Sequence, residues 1–354
     1  MKKELPSVTL ISVEDRQDYL PKVKIAADIC QKDFSFGSVK ILSPISDNDS
    51  RVVKIQNLGS VEKYSEFCIQ ELWKYVETDF ALVFQYDGFI LNPDSWTDEF
   101  LQYDYIGAPW YHMGSLRVGN GGFSLRSKRL LDFIGKNYKK IDGVYHPEDL
   151  WVCKTARPFL EEAGFKFAPE ELAKRFSKEG SFRGVIWNDE FGFHGLNYTD
   201  ISKWFLKSPE YKESFPQHLD DFTKFMLRHP VYDGTFHVLL SKPRQIINHL
   251  RLENREKNYD CRIDTDLNEF GSIQVGHEVI YMPYRIDPQK NLRTFERKVT
   301  KVEKFSSKKD LAHKYPDIQI SISFNLPRWQ QRLSRYFGNI MYPNNLSYTV
   351  FWFE

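Results

Sequence analysis

No stretch of these 354 residues is apolar for the ~20 positions that a helix needs to cross a bilayer. The opening Met1-Lys2-Lys3-Glu4-Leu5-Pro6 also lacks the long apolar segment of a secretory leader. Cysteine is sparse: Cys30, Cys68, Cys153 and Cys261 lie far apart, with no paired spacing that suggests a metal knuckle or a disulfide framework. They read as buried thiols in a reducing compartment. The expected location is therefore the cytosol, with the inner face of a membrane as a peripheral station. Charge of one sign is lacking too, since 49 Lys+Arg face 48 Asp+Glu for a net charge of +1. That balance is far from the strongly basic character of a nucleic-acid domain. Repeats and low-complexity segments are absent from the sequence.

What remains is ordinary globular material, 41% hydrophobic and 16% aromatic, enough for one large core or for a large domain and a smaller one. The charge is unevenly spread: residues 1–200 carry 25 Lys+Arg against 30 Asp+Glu, and residues 201–354 carry 24 against 18. An acidic first half with a mildly basic tail suits an anionic acceptor or a membrane surface. Two ordinary solvated surfaces would look the same.

Strand and helix signals alternate through the first half. Val8–Val13 is a short β-branched run, and a helix is expected over Leu20–Cys30. Val39–Leu42 and Val52–Ile55 read as further strands. Ser60 caps a second helix on which Tyr64, Cys68, Leu72 and Tyr75 recur at helical spacing. Phe80–Phe84 is continuously apolar, as a strand covered on both faces of an α/β sheet must be. Strands are also expected at Tyr105–Ala108 and Gly122–Leu125, and helices over Ser127–Asn137 and Pro147–Ala163. The order β-α-β-β-α-β predicts an α/β, doubly wound fold, whose ligands bind beyond the carboxyl ends of the strands. Past residue 200 a helical stretch is expected over Trp204–Arg228, then mainly strands: His237–Leu240, Ser272–Val275, Val279–Met282, Ile318–Ile322 and Tyr348–Phe353. The expected division is a domain over 1–205 and an α+β accessory region over 206–354.

The strand-end rule directs attention to Gln85-Tyr86-Asp87-Gly88, which is either a plain Asp-Gly turn or a carboxylate presented at a site. Gly119-Asn120-Gly121-Gly122 lets backbone approach a ligand closely, although Asn-Gly is equally a hairpin signal. It is not a P-loop, because no Lys-Ser/Thr follows. Glu148 and Asp149 follow Pro147: acids there are normal helix-start chemistry, and a positioned carboxylate is also a general base. Trp110 and Tyr111 could stack on a sugar, or pack in the core.

The segments 82–93, 103–110, 119–127, 146–149, 167–170 and 191–195 together resemble a domain family once labelled only as of unknown function, which groups with GT-A glycosyltransferases. Those segments include Gln-Tyr-Asp-Gly-Phe, Gly-Asn-Gly-Gly-Phe-Ser-Leu-Arg-Ser, His-Pro-Glu-Asp and Phe-Gly-Phe-His-Gly. The resemblance implies a GT-A-like, Rossmann-type mixed sheet flanked by helices, and transfer of a sugar from a nucleotide donor, UDP-linked, to a hydroxyl of a glycan or glycoconjugate, lipid-linked acceptors included. It implies that Asp87, the last acid of an Asp-x-Asp-like motif whose first place is taken by Gln85, holds Mn²⁺ or Mg²⁺ against the donor diphosphate. His194 would be the second metal ligand and would favour manganese. Val13, Glu14 and Asp15, with Gln85, Gly121 and Gly122, would bind the nucleotide sugar, and Arg126 would meet the diphosphate. Asp149, with Glu148 beside it, would deprotonate the acceptor, which implies inversion, and Trp110 and Tyr111 would hold that acceptor. Because Gln85 replaces an acid, a nucleotide- or glycan-binding domain without turnover is the alternative. A glycosyltransferase acting on nucleic acid is the third reading, suggested by Arg297-Lys298, Lys301, Lys304 and Lys308-Lys309.

Overall fold

Lys3–Val13 forms the long strand β1, from which the first sheet is built outward. The computed structural model describes residues 2–110, 118–141, 143–180, 185–215, 231–232, 235–240, 251–264, 273–283, 295–316 and 347–354. Helix α1 (Leu20–Asp33) follows β1, with Pro21 in its first turn and Leu20, Val23, Ala26, Ala27 and Cys30 on its buried face. The chain returns as β2 (Phe34–Ser43) and β3 (Val52–Lys54), both parallel to β1. Helix α2 (Val61–Gln70) is capped by Ser60, whose hydroxyl accepts from Lys63 N–H, and leads to β4 (Phe80–Val83), parallel to β1 on its other side. Strands β5 (Tyr105–Gly107) and β6 (Ser124–Ser127) complete the order β3-β2-β1-β4-β6-β5. Strand β6 runs antiparallel to both neighbours, which makes the sheet mixed. The α/β class expected from the sequence is the one observed.

The sheet is buried on both faces. Val8, Leu10 and Leu82 join one core with Ala26, Ala27 and Cys30 of α1. Ile11, Val13, Ala81 and Val83 join a second with Phe67 and Cys68 of α2. The continuous apolar run of β4 follows from this double cover. Helix α3 (Lys128–Asn137) begins where β6 ends, capped by Ser127.

Several expected elements differ. The helix expected over Pro147–Ala163 is three pieces: a turn at Glu148–Leu150, a π-helical turn at Trp151–Thr155 and a helix at Arg157–Glu162. Pro158 has no N–H to continue the ladder, and Ala156 N–H reaches back five residues to Trp151 O at 2.7 Å. The helical stretch after Trp204 is a short helix, Ser202–Lys207, then a 3₁₀ segment, Pro209–Ser214; the remainder of the expected helix, and Ile318–Ile322, lie outside the described residues. Of the expected Ser272–Val275 strand, residues 273–275 are described and are not strand.

By its internal contacts the chain divides into Met1–Ser181 with Trp187–Pro216, and Phe182–Ile186 with Gln217–Glu354. The second unit carries a six-stranded sheet in the order Val231–Tyr232, Thr235–Leu240, Glu278–Pro283, Phe295–Phe305, Ser347–Phe353, Tyr259–Asp264. Its core includes Phe236, Val279, Tyr281, Phe295, Phe351 and Phe353. Beside that core Asp260 Oδ2 accepts from Arg262 Nε at 3.0 Å and from the Tyr281 hydroxyl at 3.0 Å, all three groups buried.

Candidate functional site

The carboxyl end of β4 closes into a two-residue turn. Gln85 N–H donates to Gly88 O at 2.9 Å and Gly88 N–H returns to Gln85 O at 3.2 Å, leaving Tyr86 and Asp87 at the tip. The chain then runs antiparallel beside residues 191–195, with Leu91 N–H to Phe191 O at 3.0 Å and Gly195 N–H to Asp87 O at 2.8 Å. Aromatic packing holds the two segments together: the Phe89 and Phe193 rings meet edge to face at 4.9 Å. Such pairs contribute about 0.5–1.5 kcal/mol beyond area burial. His194, more than a hundred residues away in sequence, is thereby brought beside Asp87, with 3.9 Å between Nε2 and Oδ1.

Asp87 Oδ1 is buried and has no hydrogen-bond partner among the described residues. An unmatched carboxylate oxygen is costly unless something else satisfies it. A divalent cation does so, and metal–ligand distances of about 2.0–2.2 Å to each donor span the observed separation. No cluster of three or more His, Cys, Asp or Glu occurs among the described residues, so any cation here would draw further ligands from water or substrate. The two side chains fit that arrangement.

Three glycines let the His194 and Glu148 side chains pack directly against the backbone. A Cβ on Gly122 would overlap the His194 imidazole, and one on Gly88 would stand 3.0 Å from His194 Cδ2 and from Gly122 O. A Cβ on Gly121 would overlap Glu148 Oε1. Asn120, just before Gly121, is in the left-handed region, at φ 45°. Its side chain is buried, and Nδ2 lies 3.1 Å from His194 Nδ1. On the other side of the ring, His194 Nε2 lies 3.3 Å from Gln85 Oε1, and Gln85 Nε2 donates to the Tyr64 hydroxyl at 3.1 Å.

The two acids of the Glu148–Leu150 turn behave differently. Asp149 Oδ2 accepts Gly121 N–H at 2.8 Å and Oδ1 accepts Leu150 N–H at 2.8 Å, so it clasps the glycine loop. Glu148 is buried and paired with Arg126, Nη2 to Oε1 at 3.2 Å; Arg126 also donates to Gly121 O and to Ser124 Oγ. Burial first, then the charge of Asp149, pushes the Glu148 carboxyl above its ordinary value, with Arg126 pulling the other way.

Val13 and Glu14 are buried at the end of β1, and Asp15 accepts Gly59 N–H at 3.0 Å. Glu14 is occupied by Arg16, which donates through Nε and Nη2 at 2.7 Å each. The Arg16 guanidinium then lies 3.9 Å over the Tyr19 ring and 5.5 Å from that of Tyr86. An aromatic and cationic patch therefore adjoins Asp87 through Tyr86. Trp110 is buried, with its ring against Gly119, so it supports the loop from within the core. Tyr111 lies outside the described residues. The structure thus brings Gln85, Asp87, Gly121, Gly122, Glu148, Asp149 and His194 together. Tyr64, Arg16 and the side chain of Asn120 are additions that no local motif announces.

A family model described as a protein of unknown function (DUF5672) matches residues 48–194, the stretch from β3 to His194. No curated protein gives a significant sequence match. Among solved structures, the chain is similar to a glycosyltransferase involved in glycosylation of the major capsid of PBCV-1, at 14% identity and a TM-score of 0.34, covering 53% of this chain and 92% of that one. It is also similar to the apo-form glycosyltransferase GlyE of Streptococcus pneumoniae TIGR4, at 10% identity and a TM-score of 0.34, covering 70% and 72%. No helix among the described residues is long and apolar enough to cross a membrane.

Proposed function

We propose that the first unit is a cation-assisted, GT-A-type glycosyltransferase that moves a sugar from a nucleotide donor, UDP-linked, to a hydroxyl of a glycan or glycoconjugate. One observation carries the reading: the buried Asp87 Oδ1, with no hydrogen-bond partner among the described residues, faces His194 at 3.9 Å beyond the carboxyl end of β4. Asp87 and His194 would hold Mn²⁺ or Mg²⁺. Such a cation, when bound, neutralises the charge that develops on a leaving diphosphate.

The chain's own residues do the rest. Gly121 and Gly122 allow the donor to approach backbone. The patch of Arg16, Tyr19 and Tyr86 offers planar and cationic surface on the nucleotide side. Asp149 is the base that takes the acceptor proton, and attack in line with the leaving group gives inversion. Glu148, buried against Arg126, fixes the turn that carries Asp149.

The test is a panel of nucleotide sugars offered with and without Mn²⁺ to the native chain and to Asp87→Ala. Manganese-dependent hydrolysis of one donor, lost in the variant, is expected and names the sugar. If no donor binds and the substitution changes nothing, the reading gives way to a domain that binds glycans without turnover.

A further inference from the structure

His194 has a hydrogen-bond partner at each ring nitrogen, and what those partners can donate fixes where its proton sits. Phe123 N–H, a group that can only donate, points at Asn120 Oδ1 at 3.5 Å. That commits the Asn120 oxygen to Phe123 and turns its NH₂ toward His194 Nδ1 at 3.1 Å. Nδ1 must then accept, which places the ring proton on Nε2. Nε2–H in turn donates to Gln85 Oε1 at 3.3 Å, and the Gln85 NH₂ donates onward to Tyr64. From Phe123 to Tyr64 every link runs in one direction, and Asn120, the hinge of the chain, is only 4% exposed.

A protonated Nε2 has no lone pair for a cation, yet Nε2 is the atom that faces Asp87. We propose that Asn120 and Gln85 hold His194 in a resting tautomer that cannot ligate, so that cation entry requires the Asn120 amide to turn over. The inference rests on the reading of Asp87 and His194 as the cation site. The exchange balances: Nε2 gives one proton to water and Nδ1 takes one from water, so the ring carries the same single proton before and after. In the ligating state Nδ1–H donates to Asn120 Oδ1, and the bond from Phe123 is released. Gln85 Oε1, which accepts from Nε2–H at rest, withdraws from Nε2. Asn120 belongs to the Gly119–Gly122 loop, which Asp149 clasps through Gly121 N–H. Occupation of the cation site and the setting of the glycine loop are therefore one event.

The full-length chain labelled with ¹⁵N-histidine reports the tautomer directly through two-bond ¹H–¹⁵N correlations. His194→Gln assigns the signal by its loss. The native resonance is expected to show the proton on Nε2. In Asn120→Asp, a near-isosteric change that tolerates positive φ, a carboxylate accepts from both Phe123 N–H and Nδ1–H, and the proton is expected on Nδ1. Mn²⁺ titrated by electron paramagnetic resonance should then bind Asn120→Asp about tenfold more tightly than the native chain. Asn120→Gly adds no charge and should still bind Mn²⁺ more tightly than native. A native proton on Nδ1, or an Asn120→Asp spectrum still showing Nε2–H, overturns the assignment of the tautomer. If the tautomers move as stated while neither native chain nor variant takes up Mn²⁺, the coupling to a cation is overturned, and with it the cation reading itself.

Discussion

Gly122 is the residue whose replacement asks most of the site, because the smallest side chain would overlap the His194 ring. Gly122→Ala is expected to lower manganese-dependent donor hydrolysis by about a hundredfold, since displacement of a ligand by an ångström costs that much, while circular dichroism stays native. Retained turnover would mean that His194 is not a ligand. Glu148 yields a different test. Its carboxyl titrates above the ordinary 4.5, chiefly through burial. The folded state therefore keeps a proton that the unfolded chain has already lost. The contribution is fully present below pH 4.5 and is lost as pH rises through the folded-state value. Glu148→Gln, which cannot ionise, should gain thermal stability relative to the native chain as pH is raised from acid to neutral; a pH-independent difference in melting temperature would contradict the assigned shift. In the sequence the strand-end rule pointed to Asp87 and the start of a helix to Glu148 and Asp149, while His194 and the role of each came from family resemblance. The partners that define their states were not legible, because Tyr64, Gln85, Asn120 and His194 come from four separate segments. Gln85 looked like the loss of an acid, and its geometry makes it a hydrogen-bond partner of His194.

At the scale of elements, legibility followed from how local the cause was. The run Phe80–Val83 could be read as a two-faced strand because double burial leaves its mark on every residue. The cap at Ser60 and the helix behind it were readable for the same reason. The break at Trp151–Thr155 was not, because the apolar spacing continues through it and only Pro158 speaks against an unbroken helix. The reversed direction of β6 was equally hidden, since strand direction depends on a connection whose path leaves no pattern in sequence. Ser127 shows how much one element boundary can hold. Its hydroxyl accepts Leu130 N–H at 3.1 Å to cap α3 and donates to Asp104 Oδ1 at 2.6 Å, fully buried. Ser60 makes an exposed cap bond, at 3.3 Å to Lys63 N–H. Ser127→Ala should therefore cost about 2 kcal/mol in urea unfolding and Ser60→Ala about 0.5–1 kcal/mol. Equal costs would show that the Asp104 bond adds nothing to the cap.

Across the whole chain, each unit has its own sheet and its own apolar core, and the candidate site belongs wholly to the first. Asp87, His194, Asn120 and Asp149 all stand at loop and strand ends, and none of them is a member of the hydrophobic clusters on the two faces of the sheet. A cation there is then a ligand of a finished fold and not a part of its framework, unlike a structural zinc that a small domain needs in order to fold. Removal of divalent cations with EDTA should leave cooperative unfolding intact while manganese-dependent hydrolysis disappears. Readdition should stabilise by mass action, about 2.7 kcal/mol at a hundredfold excess over the dissociation constant. Because only the first unit carries the site, calorimetry should show its transition moving upward with Mn²⁺ while that of the second unit stays in place. The shift should vanish in Asp87→Ala. A Mn²⁺ response in the second transition would locate the cation elsewhere, and a loss of folding in EDTA would make it part of the framework after all.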